Sequence, residues 1–173
     1  MNRWKLLTLF ILLCVIGGMA CFAWRPPRGA SGGPADKVLV LKSRREMVLL
    51  RDGHELCRYR VALGRSPVGP KMRAGDHKTP EGSYVLDSLN RGSSFHVAMH
   101  VSYPNSEDRE RAAKQRVDPG GLIMVHGIKN GLGWLGRLHR TVDWTDGCIA
   151  LTDAEMDQFC SLVPAGTPIE IRP

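Results

Sequence analysis

The chain is organised around residues 122–151, LIMVHGIKNGLGWLGRLHRTVDWTDGCIAL. Residues 122–125 form a short apolar strand that runs directly into His126, and a second apolar strand at 149–151 begins directly after Cys148. One strand ending in His and another starting after Cys place an imidazole beside a thiol on a rigid sheet, with a glycine-containing loop between them. This layout predicts a cysteine nucleophile with a neighbouring base.

Each of the two residues also has a purely structural interpretation. Most free cysteines are buried apolar groups, and a histidine beside an apolar strand is often a hydrogen-bonded core residue. Against this, Gly147 leaves room for the backbone to approach a substrate, and the amides of Gly147 and Cys148 would form an oxyanion hole. His126 would deprotonate Cys148, and the imidazolium would then hold the thiolate. A backbone carbonyl would orient the other ring nitrogen, with Asp143 and Asp146 as alternatives.

A metal site is the competing use of the histidines. His96 and His100 fall on one face of a predicted strand, so with His126 and Cys148 they are a conceivable zinc set. The short-range spacing of metal motifs is absent, so we expect no metal and no cofactor. The candidate substrate-binding residues around the dyad are His100, Trp144, Thr145 and Asp146.

The N-terminus predicts export. Arg3 and Lys5 precede residues 6–24, which contain no charged side chain and approach the length of about 20 apolar residues that spans a bilayer. We expect residues 1–24 to be an uncleaved signal anchor or transmembrane helix, embedded through residues 4–24, with the rest of the chain exported. Cleavage after residues 18–20 is the alternative. Residues 25–36 are rich in Pro, Gly and Ser and predict a linker.

Charge and cysteine content bound the partners. The net charge of +7 indicates either ordinary solubility or attraction to a carboxylate-rich polymer or membrane surface. No basic stripe with interleaved aromatic residues is present in the sequence, so we do not expect nucleic-acid binding. Cys57, Cys148 and Cys160 fall in the exported part, where Cys57 and Cys160 are an open alternative for a disulfide.

Many short strands and few helices predict a mainly β domain, sandwich or barrel-like, over residues 37–173. The predicted strands are 37–41, 47–51, 55–63, 83–89, 94–103 and 167–172, with Asp52-Gly53 as a hairpin turn. A helix is predicted from Ser106, its N-cap, with Asp108, Arg109 and Arg111 on a solvated face. A second helix follows a capping box at Thr152 and Glu155, with Met156, Phe159 and Cys160 facing the core.

These residues also carry a family resemblance. His126, a spacer and Thr145-Asp146-Gly147-Cys148 resemble the His and Ser/Thr-x-Gly-Cys signature of the L,D-transpeptidase catalytic domain family, also called YkuD. Further matches typical of its YafK/ErfK-like branch are Lys78-Thr79-Pro80-Glu81-Gly82-Ser83-Tyr84, Val101-Ser102-Tyr103-Pro104-Asn105 and residues 143–151. The resemblance covers residues 37–172, and the joint pattern is specific where each piece alone is weak.

The resemblance implies a β-sandwich-like YkuD fold and a peptidoglycan stem peptide as substrate. Cys148 would attack the carbonyl of the L-centre of the third-position diamino acid, release D-alanine and form a thioester. His126 would be the general base, oriented by the Gly127 carbonyl. An amine from a neighbouring stem, or from a wall-linked lipoprotein, would then accept the acyl group. The implied location is the bacterial inner membrane, crossed once, with the catalytic domain in the periplasm or outside the cell.

Two positions depart from the family pattern. Asp146 stands where many members have His, and Ala150 stands where many have Arg or Asn. Two alternatives therefore accompany the transpeptidase expectation. One is an L,D-carboxypeptidase or amidase-type hydrolase that uses the same dyad on peptidoglycan or a wall-linked protein. The other is a non-catalytic cell-wall-binding module.

Overall fold

Eight strands make up most of the regular structure in residues 33–173, the part of the chain that the computed structural model describes. They are β1 (Lys37–Leu41), β2 (Glu46–Arg51), β3 (His54–Arg60), β4 (Gly82–Asn90), β5 (Ala98–Val101), β6 (Met124–His126), β7 (Ile149–Ala150) and β8 (Thr167–Arg172). Two α-helices, α1 (Ser106–Gln115) and α2 (Asp153–Leu162), join them, with 3-10 segments at Lys42–Arg44 and Gly133–Thr141. The predicted mainly β fold with a few short helices is confirmed.

All eight strands belong to one mixed sheet, in the order β3-β2-β1-β8-β4-β5-β6-β7. The β1–β8 and β6–β7 pairs are parallel, and the other pairs are antiparallel. The segment after β3 then reaches the opposite edge, where Ala62 exchanges two backbone hydrogen bonds with Ala150 at 3.0 and 2.8 Å. The sheet therefore curls until its two ends meet, which is the barrel-like variant of the prediction.

One apolar cluster fills the curled sheet. It contains residues from both ends of the strand order, such as Tyr59 of β3 and Ile149 of β7, together with Met156 and Phe159 of α2. The α2 capping box predicted from the sequence is present, since Thr152 Oγ1 accepts from the Glu155 amide at 3.3 Å. Packing of one helix face into the sheet is what fixes the β7 end of the sheet.

Helix α1 differs from the prediction at its first turn. Its N-cap is Asn105 rather than Ser106, because the Asn105 side chain accepts from the Asp108 amide at 3.0 Å. Asp108 was predicted on a solvated face but is buried, where its carboxylate accepts from the Tyr84 hydroxyl at 3.0 Å and pairs with Arg111. The charge pattern of the helix did not show that Asp108, in its first turn, would contact Tyr84 of β4.

Two other predictions need correction. The strand expected over 94–103 is only Ala98–Val101, and His96 lies before it in the left-handed backbone region (φ 57°). Leu122 was expected to begin a buried strand but has φ 55° and an exposed side chain.

Cys57 and Cys160 are both free thiols, so the alternative of a disulfide between them is not found.

The membrane prediction falls on residues 1–32, which lie outside the described residues. Within residues 33–173, no helix has the length and apolar character needed to cross a bilayer.

We predict that Asp108→Ala lowers the free energy of unfolding by about 2–3 kcal/mol, because it removes a buried carboxylate that accepts from the Asn105 amide at 3.2 Å and from the Tyr84 hydroxyl and pairs with Arg111. Glu107→Ala is the matched control, an exposed acid in the same turn whose loss should cost less than about 0.5 kcal/mol. Urea denaturation of both variants measures the difference. Equal losses would show that Asp108 is no more important than a surface charge.

Candidate functional site

The parallel pairing of β6 and β7 brings the two sequence-predicted residues together. Val125 lies opposite Ile149 and His126 opposite Ala150. Neighbouring strands are about 4.8 Å apart and alternate residues share a face, so Cys148 and His126 project from the same side of the pair. Both side chains line one cleft with a volume of about 610 Å³.

The turn before Cys148 is closed by Thr145. Its hydroxyl donates to the Cys148 carbonyl at 2.7 Å and accepts from the Gly147 amide at 3.2 Å. Gly147 has φ 127°, and a Cβ there would meet the Lys78 carbonyl oxygen at 2.6 Å, so only glycine fits. The Gly147 amide was expected to stabilise an oxyanion, and in this structure it is engaged by the threonine instead. The turn holds the thiol rigidly at the start of β7.

His126 has a defined tautomer. Its Nδ1–H donates to the Gly127 carbonyl at 2.6 Å, and a carbonyl can only accept, so Nε2 is the nitrogen left to take a proton. Asp153 holds the chain just after Gly127, because its carboxylate accepts from the Ile128 amide at 2.8 Å. The alternative orienting acids are engaged elsewhere. Asp143 pairs with Arg45, and Asp146 pairs with two residues described below.

Aromatic rings enclose the imidazole. The Phe95 ring centroid is 4.7 Å from that of His126, and the Trp144 centroid is 5.7 Å away. This burial lowers the pKa of His126 below its ordinary value of 6.5, and the bond to Gly127 offsets part of the shift. The imidazole is therefore neutral at neutral pH.

The thiol is neutral as well. Burial raises the pKa of Cys148 above its ordinary value of 9.0, and the Asp146 carboxylate raises it further. The Met124 amide and the Lys71 ammonium act in the opposite direction. The sulfur also donates to the Leu122 carbonyl at 3.6 Å. A resting thiol beside a neutral imidazole fits general-base catalysis, in which the proton moves as the sulfur attacks, better than a preformed ion pair.

A charged cluster forms one wall of the cleft. Arg65 and His77 both contact the same Asp146 oxygen, Oδ1. The distance from His77 Nδ1 to this oxygen is 2.8 Å. Arg65 Nη2, which contacts Asp146, also lies 3.3 Å from His77 Nδ1. The backbone of Arg65 is fixed by its amide, which donates to the Thr145 carbonyl at 3.0 Å. The cluster therefore sits against the turn that carries the thiol.

The structure brings most of the sequence-predicted site residues together. His126, Trp144, Thr145, Asp146 and Cys148 line the cleft, and Gly127 and Gly147 supply the backbone contacts described above. His100 does not line it, because its Nδ1 bonds Asp87 at 2.8 Å. His96 does not share a surface with His100, since its Nε2 bonds Asp157 at 2.8 Å. In residues 33–173, no three His, Cys, Asp or Glu side chains are grouped to hold a metal ion.

Arg65, Phe95, Leu122 and Lys129 are among the residues that line the cleft but that the sequence analysis did not name as site residues. Phe95 and Arg65 lie in stretches with no motif of their own, and their positions depend on pairings far apart in the chain. The Lys78-Thr79-Pro80 motif was a partial signal, because Thr79 Oγ1 accepts from the Gly64 amide at 3.0 Å beside Arg65.

Fold and site together define a mainly β domain with a thiol and a neutral imidazole in one cleft. Residues 35–171 match the family model of the L,D-transpeptidase catalytic domain, YkuD. The chain belongs to this family, as the sequence motifs predicted.

Individual proteins resemble the chain in sequence or in fold. The chain is 30% identical over 100 residues to YafK of Escherichia coli K12, whose name gives an L,D-transpeptidase activity as provisional. That match spans 57% of this chain and 37% of YafK. The helical cell shape determining protein Pgp2 of Campylobacter jejuni superposes with a TM-score of 0.63 at 26% identity, covering 81% of this chain and 48% of Pgp2. L,D-transpeptidase 3 of Mycobacterium tuberculosis, solved with a faropenem-derived adduct, shares the fold with a TM-score of 0.55 at 18% identity, over 82% of this chain and 61% of that one.

We predict that Thr145→Val impairs the site and that Thr145→Ser does not. Valine has the same shape as threonine but cannot accept from Gly147 or donate to the Cys148 carbonyl, so the variant should lose about 1–3 kcal/mol of stability. Its loss of catalytic efficiency should exceed tenfold because the thiol is displaced. Thermal unfolding and turnover kinetics measure both effects. A valine variant as active as the serine variant would exclude this role for the hydroxyl.

We also predict the pH dependence of catalysis. A base whose pKa is lowered stays unprotonated further into the acid range, so the acid limb of kcat/KM should have its midpoint below pH 6.5. Alkylation of Cys148 by iodoacetamide without substrate should rise through pH values above 9.0, because the thiol pKa is raised. His54→Gln, a change at an exposed histidine, is the control and should leave both profiles unchanged. A thiol that alkylates fully at neutral pH would contradict the neutral pair.

Proposed function

We propose that this chain is a cysteine-dependent L,D-transpeptidase acting on peptidoglycan stem peptides, with Cys148 as nucleophile and His126 as general base. The observation that carries the proposal is the cleft shared by a thiol and an imidazole whose Nδ1–H is committed to Gly127. Membership in the L,D-transpeptidase catalytic domain family supports the substrate class and the type of reaction.

In the first half of the reaction, the sulfur attacks the carbonyl carbon of the L-centre of the diamino acid. The S–C bond forms as the thiol proton moves to His126 Nε2, and the carbonyl oxygen becomes an oxyanion. The C–N bond to D-alanine then breaks, and the proton on Nε2 passes to the departing amine. A thioester on Cys148 and a neutral imidazole remain, so His126 is ready to serve as base again.

In the second half, an amine from a neighbouring stem or from a wall-linked lipoprotein attacks the thioester. His126 takes a proton from this amine and returns it to the sulfur as the new amide forms. The thiol is regenerated and no cofactor takes part. Phe95 and Trp144 pack against the imidazole and would hold its ring in place during both halves of the reaction.

Hydrolysis is the second candidate, and the residues at positions 146 and 150 favour it. Asp146 replaces a common family histidine and is held by Arg65 and His77, and Ala150 is buried against Ala62 where many members carry Arg or Asn. Asp146 lines the cleft beside Cys148, and Ala150 lies two residues along β7 from the nucleophile. With water as acceptor the same dyad would act as an L,D-carboxypeptidase or as an amidase on a wall-linked protein.

The cellular setting is part of the proposal. The uncharged segment 6–24 and the preceding basic residues support a single-pass anchor in the bacterial inner membrane, with the catalytic domain in the periplasm or outside the cell. This would place the cleft on the side of the membrane where peptidoglycan is found.

We predict that Cys148→Ala abolishes all product formation while the circular dichroism spectrum stays that of the wild type. His126→Ala should lower turnover by about 10²–10⁴-fold, the usual contribution of a general base. The assay is mass spectrometry of muropeptides incubated with the full chain in ¹⁸O-labelled water, with and without an acceptor amine. A new cross-link indicates transfer, and ¹⁸O in the released carboxylate indicates hydrolysis.

A penem provides a second readout of the nucleophile. The M. tuberculosis neighbour carries a faropenem-derived adduct, so intact-mass analysis after faropenem treatment should show a covalent adduct on the wild type but not on Cys148→Ala. Wild-type protein with neither products nor adduct would leave the non-catalytic wall-binding module as the better description.

A further inference from the structure

We propose that Arg65 is the residue that binds a substrate carboxylate in the cleft and so selects the donor peptide. The inference rests on the proposed function for its substrate class. Its basis is the position of Arg65 on the cleft wall and the way its guanidinium group is held.

Only one edge of the guanidinium group is occupied. The contacts with Asp146 and His77 both use Nη2, and within the described part of the chain Nε and Nη1 make no hydrogen bond. The side chain remains 54% exposed. A guanidinium fixed at one corner presents its remaining N–H donors in a plane, which matches the two oxygens of a carboxylate.

The Arg65–Asp146 pair itself has little value for stability. Both partners are more than half exposed, and such surface pairs contribute about 0–1 kcal/mol. Holding Arg65 beside the nucleophile is therefore better explained by recognition than by folding. The single carboxylate of Asp146 orients the group while leaving donors free for a second anion.

The backbone fixes where a bound carboxylate would lie. The Arg65 amide donates to the Thr145 carbonyl, and the Thr145 amide donates to the Leu63 carbonyl at 3.1 Å. A Cβ on Gly64 would meet the His77 carbonyl oxygen at 2.2 Å, so this segment packs in direct contact with its neighbours. Because the Thr145 turn also positions Cys148, a carboxylate on Arg65 would set the distance between the scissile carbonyl and the sulfur.

Other charged groups near the cleft fit the role less well. Lys129 lines the cleft but is exposed, and within residues 33–173 its ammonium makes no hydrogen bond or ion pair that would orient it. Lys71 influences the thiol but is buried and bonded to Asp76 at 2.8 Å. Arg65 is the basic side chain in the cleft that the structure both orients and leaves open.

The two residues joined by the scissile bond offer one candidate carboxylate each, the C-terminus of the D-alanine and the second carboxylate of the diamino acid. Binding of three synthetic peptides to full-length Cys148→Ala protein, measured by calorimetry, distinguishes them. The peptides are the tetrapeptide ending in D-alanine, its C-terminal amide, and an analogue with lysine in place of the diamino acid. Since the thiol is absent, this measurement is independent of whether the wild type turns over peptidoglycan.

We predict that adding Arg65→Met weakens binding of the tetrapeptide at least tenfold, and that Arg65→Lys restores part of it. An effect lost with the C-terminal amide identifies the terminal carboxylate, and an effect lost with the lysine analogue identifies the diamino acid carboxylate. Arg44→Met, an exposed arginine outside the cleft, controls for net charge and should change none of the affinities.

Three outcomes would overturn the assignment. They are equal weakening of all three peptides by Arg65→Met, no weakening of any of them, or the predicted pattern in Lys129→Met instead of Arg65→Met. Failure of the proposed function would look different, because the wild type would then give no products and no penem adduct whatever these affinities are.

Discussion

The site depends on a two-residue parallel pairing between β6 and β7, with Val125 opposite Ile149 and His126 opposite Ala150. Such a short ladder has few hydrogen bonds of its own, so its register must be fixed by its surroundings. Burial of Val125 and Ile149 in the core fixes one face. The outer edge is fixed by the hydrogen bonds between Ala150 and Ala62, which also close the curl of the sheet.

Burial shifts the pKa values of His126 and Cys148 in opposite directions. Removal from water disfavours every charge, so it lowers the pKa of His126 and raises the pKa of Cys148. The sequence analysis expected the imidazolium to hold the thiolate, whereas the structure makes both groups neutral at rest. Charge separation is then confined to the moment of attack, when the substrate itself supplies polar contacts. The thiol is thereby protected from adventitious oxidation and alkylation, which need the thiolate.

Sequence patterns predicted correctly those turns, caps and strands that depend on residues close together in the chain. The hairpin at Asp52-Gly53, the capping box of α2 and the strand Thr167–Arg172 all appear where the sequence placed them. The dyad residues were found because each lies at the end of an apolar strand. Position 96 was misassigned because its left-handed backbone interrupts an otherwise regular alternation. Buried Asp108 was misassigned because nothing nearby in the sequence indicates that Tyr84 needs an acceptor.

The least regular stretch of the sequence, residues 64–82, contributes Arg65 and His77 to the charged cluster at the cleft, and no pattern within it predicts this. A buried lysine at the end of β1 explains how an irregular segment is held firmly. The Lys42 ammonium donates to the Gly69 carbonyl at 2.7 Å and to the Thr79 carbonyl and Glu81 carboxylate at 2.8 Å each. Burial lowers its pKa and the Glu81 carboxylate opposes that shift, so the charge is kept by its acceptors. Since Thr79 in turn holds Gly64 beside Arg65, the wall is tied to the core of the sheet through one side chain. Buried Lys42 therefore connects this irregular segment to the end of β1, which gives a charged side chain in an otherwise apolar part of the fold a structural role.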